Sequence, residues 1–274
     1  YRFLFLDLDR RYAELRSISA GDGGRGGLNL SLLKSLKIKL PEISEQKRIV
    51  AVLETWDQAI EKLVKRIKAK RNIKNGLAQQ LLSGKKRLPG FEEEWETYKV
   101  GNFIDGISER NRRNQVSRVL SVTNKHGFIL AENQFARVVA SEDKSNYKVI
   151  NKGDFAYNPS RINVGSISRL DDFENGILSP MYVAFRPKEN ISSDFLYHWL
   201  FTSEANGKVR SCASGSVRES VDFKSFCSIK IKVPNLDEQI AISKVLTTAN
   251  EEIKTLEKEL NILKEQKKFL LNNL

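Results

Sequence analysis

Residues 33–41 read Leu-Lys-Ser-Leu-Lys-Ile-Lys-Leu-Pro, and residues 226–234 read Phe-Cys-Ser-Ile-Lys-Ile-Lys-Val-Pro, 193 positions later. The correspondence continues without a gap, so that Glu45-Gln46 aligns with Glu238-Gln239. The units of solenoid proteins are about 20–50 residues long, and this much longer period indicates two copies of a large module. Each copy is predicted to end in a strand, a proline and a long helix.

The segments after the two prolines have the pattern of amphipathic helices. Ser44-Glu45-Gln46 and Asp237-Glu238-Gln239 supply capping side chains at the start of each helix, and Ser83-Gly84 marks the end of the first. Apolar residues then recur every three or four positions. Such long apolar stripes need a partner, so we expect an antiparallel, coiled-coil-like pair. The residues predicted to pair are Ile49, Val52, Leu53, Trp56, Ile60, Leu63 and Ile67 in the first helix and Ile242, Val245, Leu246, Ile253, Leu256 and Leu260 in the second.

The net charge of +12 is concentrated in the first of these helices. Residues 45–87 contain 12 basic and 4 acidic side chains, whereas residues 88–235 contain 20 and 18. A basic surface favours a polyanionic partner, although a solvated helix face explains the same pattern equally well. The second helix is more acidic, and this complementarity supports pairing of the two helices.

Composition indicates a folded protein of the cytoplasm. The 274 residues are 40% apolar and 29% charged, and no apolar run approaches the length of about 20 residues that spans a bilayer. Cys212 and Cys227 lack a C-x-x-C arrangement and are typical of small buried side chains in a reducing compartment. With only two histidines in addition, no zinc site is predicted.

The residues between the two repeats have the composition of a mixed α/β domain with short strands. Strands are predicted at 118–122, 147–150 and 181–185, and a short buried helix at 195–201. Gly153-Asp154, Asn175-Gly176 and Asn206-Gly207 are expected to form turns. The fold class is therefore α+β. The predicted core residues are Phe155, Tyr157, Ile167, Leu178, Val183, Phe185, Leu196 and Leu200.

Motifs for catalysis are weak. The sequence contains no G-x-G-x-x-G, no phosphate-binding loop and no G-x-S-x-G elbow. Asn158-Pro159-Ser160-Arg161 has a faint similarity to the N-P-P-aromatic tetrapeptide of adenine methyltransferases, but it lacks the second proline and the aromatic ring. Glu142 and Lys144 have the E-x-K spacing of nuclease metal sites without a convincing preceding aspartate. We therefore predict a non-catalytic chain.

Five motifs follow one another along the chain. They are Leu88-Pro89-Gly90-Phe91 with Glu94-Trp95, the run from Gly153 through Asn158 to Ile167, Phe195-Leu196-Tyr197, Ala213-Ser214-Gly215-Ser216 with Arg218, and the repeated strand, Glu-Gln pair and helix. This series resembles the DNA specificity subunits of type I restriction-modification systems. The resemblance covers essentially the whole chain. It implies two target-recognition domains, each reading half of a split DNA site, separated by helices that set the spacing.

The resemblance also implies a domain organisation and partners. Residues 1–43 would be the end of a first target-recognition domain, 44–86 the central helix, 87–235 a complete second domain, and 236–274 the C-terminal helix. We expect the missing part of the first domain to precede Tyr1 in a longer version. Two methyltransferase subunits and restriction-translocase subunits would bind, carrying S-adenosylmethionine, Mg and ATP. Self-association of a one-domain form is an alternative way to obtain two half-site readers.

Side chains that could contact DNA form three groups in the middle domain. The first is the polar run at 110–115, which includes Asn111, the second lies at 158–163, and the third at 123–126. Base edges and phosphates are recognised by hydrogen-bond donors and acceptors on loops. A solvated loop is the alternative for each group, and the recurrence of Arg25 as Arg218 fits a phosphate contact or a structural brace. The predicted DNA-binding residues are Arg110, Arg112, Arg113, Asn124, Lys125, Asn158, Ser160, Arg161, Asn163 and Arg218.

Two other functions remain open at this point. The chain could be the recognition part of a fused methyltransferase or nuclease whose catalytic part precedes Tyr1. It could also be a helical assembly scaffold that makes no contact with DNA. Binding of S-adenosylmethionine would distinguish the enzyme from the specificity subunit.

Overall fold

The computed structural model describes residues 1–19, 27, 30–134, 143–212 and 220–273. They form two compact units: unit 1 is Tyr1–Ile73 with Ala249–Leu274, and unit 2 is Lys74–Thr248. The helices are α1 (Arg2–Arg10), α2 (Tyr12–Ser19), α3 (Leu30–Ser35), α4 (Ile43–Leu82), α5 (Ala131–Gln134), α6 (Ser193–Leu200), α7 (Ser203–Ser211), α8 (Phe223–Ser228) and α9 (Leu236–Asn272). The strands are β1 (Glu96–Lys99), β2 (Ile104–Gly106), β3 (Leu120–Thr123), β4 (Gly127–Leu130), β5 (Lys148–Asn151), β6 (Phe155–Tyr157), β7 (Ile167–Arg169), β8 (Asn175–Leu178), β9 (Val183–Pro187) and β10 (Lys230–Val233). The predicted α+β fold with short strands and long helices is confirmed.

The sequence repeat is also a repeat of structure. Helix α8 begins and ends 193 residues after α3, and α9 begins 193 residues after α4. In both copies two further short helices come before this pair, α1 and α2 in the first and α6 and α7 in the second. The repeated strand is formed only in the second copy, as β10. The prediction of a strand in the first copy is wrong, because residues 36–40 are not paired with any strand of the described residues.

In unit 1 the long helices α4 and α9 pack antiparallel. Leu63 and Ile67 of α4 form an apolar cluster with Ile253 and Leu256 of α9, and Leu260 packs against it. A second cluster unites Leu53 and Leu271 with Leu6 of α1, and Ile49 packs at its side. Three ion pairs join the helices along their flanks: Asp57–Lys267, Lys70–Glu252 and Arg71–Glu257. The opposite charges noted in the sequence thus meet across the pair.

Other residues predicted to join the two helices have different environments. Val52 and Val245 are 51% and 36% exposed and belong to none of the apolar clusters found among the described residues. Ile242 and Leu246 are fully buried, but in the core of unit 2. Trp56 and Ile60 are half-buried. The helical period identifies an apolar stripe but does not reveal which neighbour covers each part of it.

Unit 2 contains short antiparallel strands. The largest sheet has the order β2-β9-β6-β7, and the pairs β1-β10, β3-β4 and β5-β8 accompany it. Its main core joins both the end of α4 and the start of α9 to the sheet and to α6, through residues such as Leu81, Ile242 and Trp199. A smaller core lies among β3, β5, β6 and β8. Seven of the eight predicted core residues are buried, and Val183 is partly buried.

Two of the three predicted turns of the middle domain are wrong. Asn175-Gly176 lies in β8, where Asn175 pairs with Asn151, and Gly176 is needed because an added Cβ would come within 2.3 Å of Leu120 Cδ1. Asn206-Gly207 lies inside α7, which Thr202 caps through its hydroxyl. The third prediction is correct, since Gly153 has φ +89° directly before β6. An Asn-Gly pair predicts a turn only when no tertiary contact demands a glycine.

Candidate nucleic-acid interface

The loop between β6 and β7 carries four of the predicted DNA-binding residues and is braced from within. Asn158 Oδ1 accepts a hydrogen bond from Ser160 N (3.1 Å), and Arg161 N donates to Asn158 O (3.0 Å). Gly165 closes the loop with φ +90°, in the left-handed region that favours glycine. Ser160 and Arg161 are exposed at its surface, whereas Asn158 is half-buried and acts as the brace.

The turn between β3 and β4 lies beside this loop. Thr123 Oγ1 accepts from His126 N (3.0 Å) and fixes the turn, which leaves Asn124 and Lys125 exposed. A Cβ added at Gly165 would lie 3.8 Å from Asn124 Cβ, so the turn and the β6–β7 loop are in contact distance of each other. The hydroxyl of the buried Ser166 donates to Val122 O (2.8 Å) and ties the two hairpins together. The structure thus brings the second and third predicted groups side by side.

The arginine-rich segment 110–115 is held by other elements. Asn111 is buried, and its amide group donates to Val116 O (2.8 Å) and accepts from Val116 N (3.1 Å). Arg110 is half-buried and donates to Asn146 O (2.9 Å). The pKa of the neighbouring Lys148 is lowered by burial and by the charge of Arg110. Arg112 and Arg113 are exposed at the tip of the segment.

Four basic side chains on these loops, unlike Arg110, have no partner among the residues that the structure describes. The side chains of Arg112, Arg113, Lys125 and Arg161 form no hydrogen bond or ion pair with the residues that the structure describes. An unpaired cation on a fixed loop is free to bind an anion or a base edge. Arg218, with the motif Ala213-Ser214-Gly215-Ser216, lies outside the described residues, as do Arg25 and Glu142.

Two other arginines of the sheet are committed to structural ion pairs. Arg186 Nε and Nη2 bind the buried Asp154 at 2.6 and 2.9 Å, and this pairing raises the pKa of Arg186. Arg169 pairs with Asp171 and Asp194. Burial acts to lower the pKa of Arg169, but the two carboxylates raise it overall. Asp154, part of the Gly153-Asp154-Phe155 motif, therefore stabilises the fold and is not available to a ligand.

Sequence reasoning missed one residue near the β6–β7 loop. Arg210, in the last turn of α7, donates from Nε to Asn163 O (3.3 Å). The signal was present, because basic residues are favoured at a helix C-terminus, but nothing in the sequence placed α7 next to this loop. Asn163 is itself half-buried. Of its group, Ser160 and Arg161 are thus the side chains presented to solvent.

No site for a metal ion is evident. The residues described by the structure include no group of three His, Cys, Asp or Glu side chains placed to hold one. Burial lowers the pKa of His198 to about 4, so this side chain is neutral at pH 7, and its Nε2 lies 3.1 Å from Thr247 Oγ1. None of the described helices combines the length and hydropathy needed to cross a membrane.

Comparison with known families identifies the family to which a chain with these loops and helices belongs. Residues 1–71 and 92–265 match the family described as the Type I restriction modification DNA specificity domain. The chain belongs to this family. The match includes both copies of the repeat and nearly all of the segment that carries the three polar groups. The resemblance noticed in the sequence is therefore confirmed.

Individual members of the specificity family are distant in sequence and similar in fold. The putative type I restriction enzyme MjaX specificity subunit of Methanocaldococcus jannaschii is 26% identical over 269 residues, which cover 90% of this chain and 60% of that protein. The MjaVIII specificity subunit of the same organism is 24% identical over 293 residues, which cover 98% of this chain and 68% of that protein. The chain thus spans about two thirds of the length of these relatives.

Solved structures show the same fold. The S subunit of a type I restriction-modification system from M. genitalium has a TM-score of 0.62 at 17% identity, covering 99% of this chain and 71% of that chain. The HsdS subunit from Thermoanaerobacter tengcongensis has a TM-score of 0.50 at 18% identity, covering 99% and 68%.

Proposed function

We propose that this chain acts as a non-catalytic DNA specificity subunit of a type I restriction-modification complex. Its unit 2 reads one half of a bipartite DNA target, and its long helices dock methyltransferase subunits. Membership of the specificity family supports this function. Two adjacent hairpin loops carry exposed basic side chains without a partner in the described part of unit 2, and this supports the location of the DNA-reading surface.

The main support for this function is that the loops are fixed while some of their basic side chains have no partner among the described residues. Arg161 and Lys125 lie on loops fixed by backbone and side-chain hydrogen bonds, yet their own side chains have no partner in the described part of the chain. Sites that bind specifically need side chains held in place before the ligand arrives. An arginine can bind guanine O6 and N7 with two hydrogen bonds, and a lysine can hold a phosphate.

The other members of the complex would carry the chemistry. We assign S-adenosylmethionine to the methyltransferase subunits and ATP and Mg to the restriction-translocase subunits, in the cytoplasm. The specificity chain would need no cofactor of its own. Retention of radiolabelled S-adenosylmethionine by the purified chain would contradict this division of roles.

The test is to select DNA duplexes from a random pool and to measure the affinity of variants for the selected sequence. We expect Arg161→Ala and Arg112→Ala each to weaken binding by about 1–3 kcal/mol and to relax the preference at one position. Loss of a base contact changes specificity, whereas loss of a phosphate contact weakens all sequences alike. Both variants should keep the unfolding midpoint of the unmodified chain, because Arg161 and Arg112 are exposed and have no partner among the described residues.

Lys152→Ala is the matched control for these variants. It also removes one positive charge from unit 2, but Lys152 is paired with Glu174 (2.7 Å) at the surface. Its affinity for the selected DNA should be unchanged at physiological salt. Unaltered affinity and sequence preference in both arginine variants would exclude these loops as the reading surface.

A further inference from the structure

The two copies of the repeated segment hold their strand residues with the same hydrogen bonds. Gln46 Nε2 donates to Pro41 O and Gln239 Nε2 donates to Pro234 O, both at 2.9 Å. A cation also caps the first strand residue from one side in both copies. Arg11 Nη1 donates to Lys37 O (2.9 Å), and Lys208 Nζ donates to Lys230 O (2.8 Å). The first copy therefore makes the same short-range hydrogen bonds to its backbone as the second, although residues 36–40 are unpaired.

In the second copy the free edge of the strand is occupied by β1. Residues of β10 pair antiparallel with Glu96–Lys99, and Val100 N donates to Ile229 O (2.8 Å). Side chains of alternate strand residues point to the same face of a sheet, so Ile229, Ile231 and Val233 share one face. Their side chains are at most 4% exposed.

The segment before β1 also binds the start of α9. Glu238 is fully buried, and its carboxylate accepts hydrogen bonds from Arg87 Nε and Nη2, both at 2.7 Å, and from Trp95 Nε1 at 3.0 Å. This ion pair raises the pKa of Arg87. Residues 87–99 thus combine an arginine, a tryptophan eight positions later, and a strand, and all three elements contact the second copy.

The equivalent surface of the first copy is open. Leu40, the counterpart of Val233, is 68% exposed, and Leu33, the counterpart of Phe226, is 40% exposed. The described residues provide no hydrogen-bond partner for the backbone of Ile38 or Leu40. An unpaired edge with exposed apolar side chains is a site for addition of a strand.

A cleft of about 630 Å³ lies next to this edge, within unit 1. Leu40, Glu45 and Ile49 line one side of it, and residues of α1 and α2 line the other. Arg10 pairs with Asp7, and Arg11 pairs with Glu14. Glu45 is the counterpart of Glu238, but it is exposed and its carboxylate has no partner among the described residues. Lys37 and Lys39 also line the cleft, and they correspond to Lys230 and Lys232 of the copy in which Glu238 binds Arg87. Among the carboxylates that line the cleft, Glu45 is therefore the one open to an incoming cation.

We propose that the 36–40 edge and its cleft bind a polypeptide segment of the Arg87–Lys99 type. The incoming segment pairs antiparallel with residues 36–40 through its strand, and its arginine and tryptophan bind the carboxylate of Glu45. This chain's own Arg87–Lys99 segment is held by β10, so the occupant is a further segment of the same chemistry. The proposal rests on the internal symmetry: both copies have the glutamine-to-proline hydrogen bond and a cation on the matching lysine carbonyl, and the added strand is present in one copy while its contacts are exposed in the other.

A fluorescein-labelled peptide of residues 86–100 added to the full chain tests the proposal by anisotropy. We expect saturable binding that Glu45→Gln weakens at least about tenfold, because a buried arginine would lose its charged partner. Leu40→Pro should weaken it as well, because proline removes the N–H that an added strand needs. Both residues are exposed, so the variants keep their fold. Glu61→Gln is the matched control, since Glu61 lies on α4 outside the cleft and, among the described residues, pairs with Lys65 alone.

A second peptide checks which groups are recognised. Replacement of Arg87 by Gln in the peptide should reduce its affinity for the unmodified chain by a similar factor, and should have no further effect on the Glu45→Gln chain. Equal binding of the peptide to the Glu45→Gln chain and the unmodified chain, or no binding to either, would overturn the proposal. So would a dimer of the chain that excludes the peptide and persists in Glu45→Gln, because the face would then be an interface between copies.

Discussion

The starts of α4 and α9 have related sequences and the same local structure, but they differ in what covers them. At α9, Glu238, Gln239 and Ile242 are at most 2% exposed. At α4, the equivalent Glu45 is exposed, and Gln46 and Ile49 are half-buried. The comparison shows that the repeated sequence determines the backbone and its short-range hydrogen bonds, whereas burial depends on the segment that packs against it.

The largest difference in stability loss between substitutions in the two copies is expected for the two glutamates. Glu238→Ala should lower the free energy of unfolding of unit 2 by about 3–5 kcal/mol, because it leaves the Arg87 guanidinium and the Trp95 indole N–H without their acceptor. Glu45→Ala should change stability by less than about 0.5 kcal/mol. Urea unfolding followed by tryptophan fluorescence measures both. Equal effects would show that the open and covered copies have the same environment in solution.

A smaller difference in stability loss is expected for Ile242 and Ile49, which lie one helical turn after the two glutamates. Ile242→Ala should cost about 2–5 kcal/mol, since Ile242 is fully buried in the main core of unit 2. Ile49 packs only at the edge of a cluster, so Ile49→Ala should cost about 1 kcal/mol. Thermal unfolding of the two variants side by side checks the ranking. A larger loss for Ile49→Ala would mean that α4 is covered more fully than its exposure indicates.

The smallest difference is expected for the glutamines. Both donate to the proline carbonyl at 2.9 Å, but Gln239 also accepts from Ser192 N at 2.8 Å. Gln239→Ala should therefore cost about 1–3 kcal/mol, the penalty for leaving buried polar groups unpaired. Gln46→Ala should cost about 0.5–1.5 kcal/mol, the value of one hydrogen bond in a half-buried site. The urea midpoints of the two variants provide the comparison, and a greater loss for Gln46→Ala would contradict it.

Helices and strands that have a clear apolar pattern or a repeated sequence were predicted well. The repeat identified both long helices, and the helix starting at Ile43 ends at Leu82, next to the predicted Ser83-Gly84 stop. Three predicted strands and the short helix at 195–201 correspond to β3, β5, β9 and α6. These elements are specified by apolar periodicity within one segment, which a single sequence contains.

Features that depend on contacts between distant segments were not predicted. Residues 37–40 differ from β10 only in Leu40 for Val233, yet they form no strand, because β1 pairs only with β10 among the described residues. Likewise, Asn111 belongs to the polar run that was predicted to face DNA, but its side chain is turned inward to hold Val116. The sequence shows that a residue is polar; it does not show whether its partner is solvent, DNA or the chain itself.

The bond between Arg87 and Glu238 joins residues 151 positions apart in the chain. It links the segment that follows α4 to the first turn of α9, and nearly all of the middle domain lies between these two side chains. The ion pair depends on this arginine and glutamate and not on the sequence of the domain between them. The ion pair thus joins the two ends of the middle domain at its base through side chains that lie outside the loops.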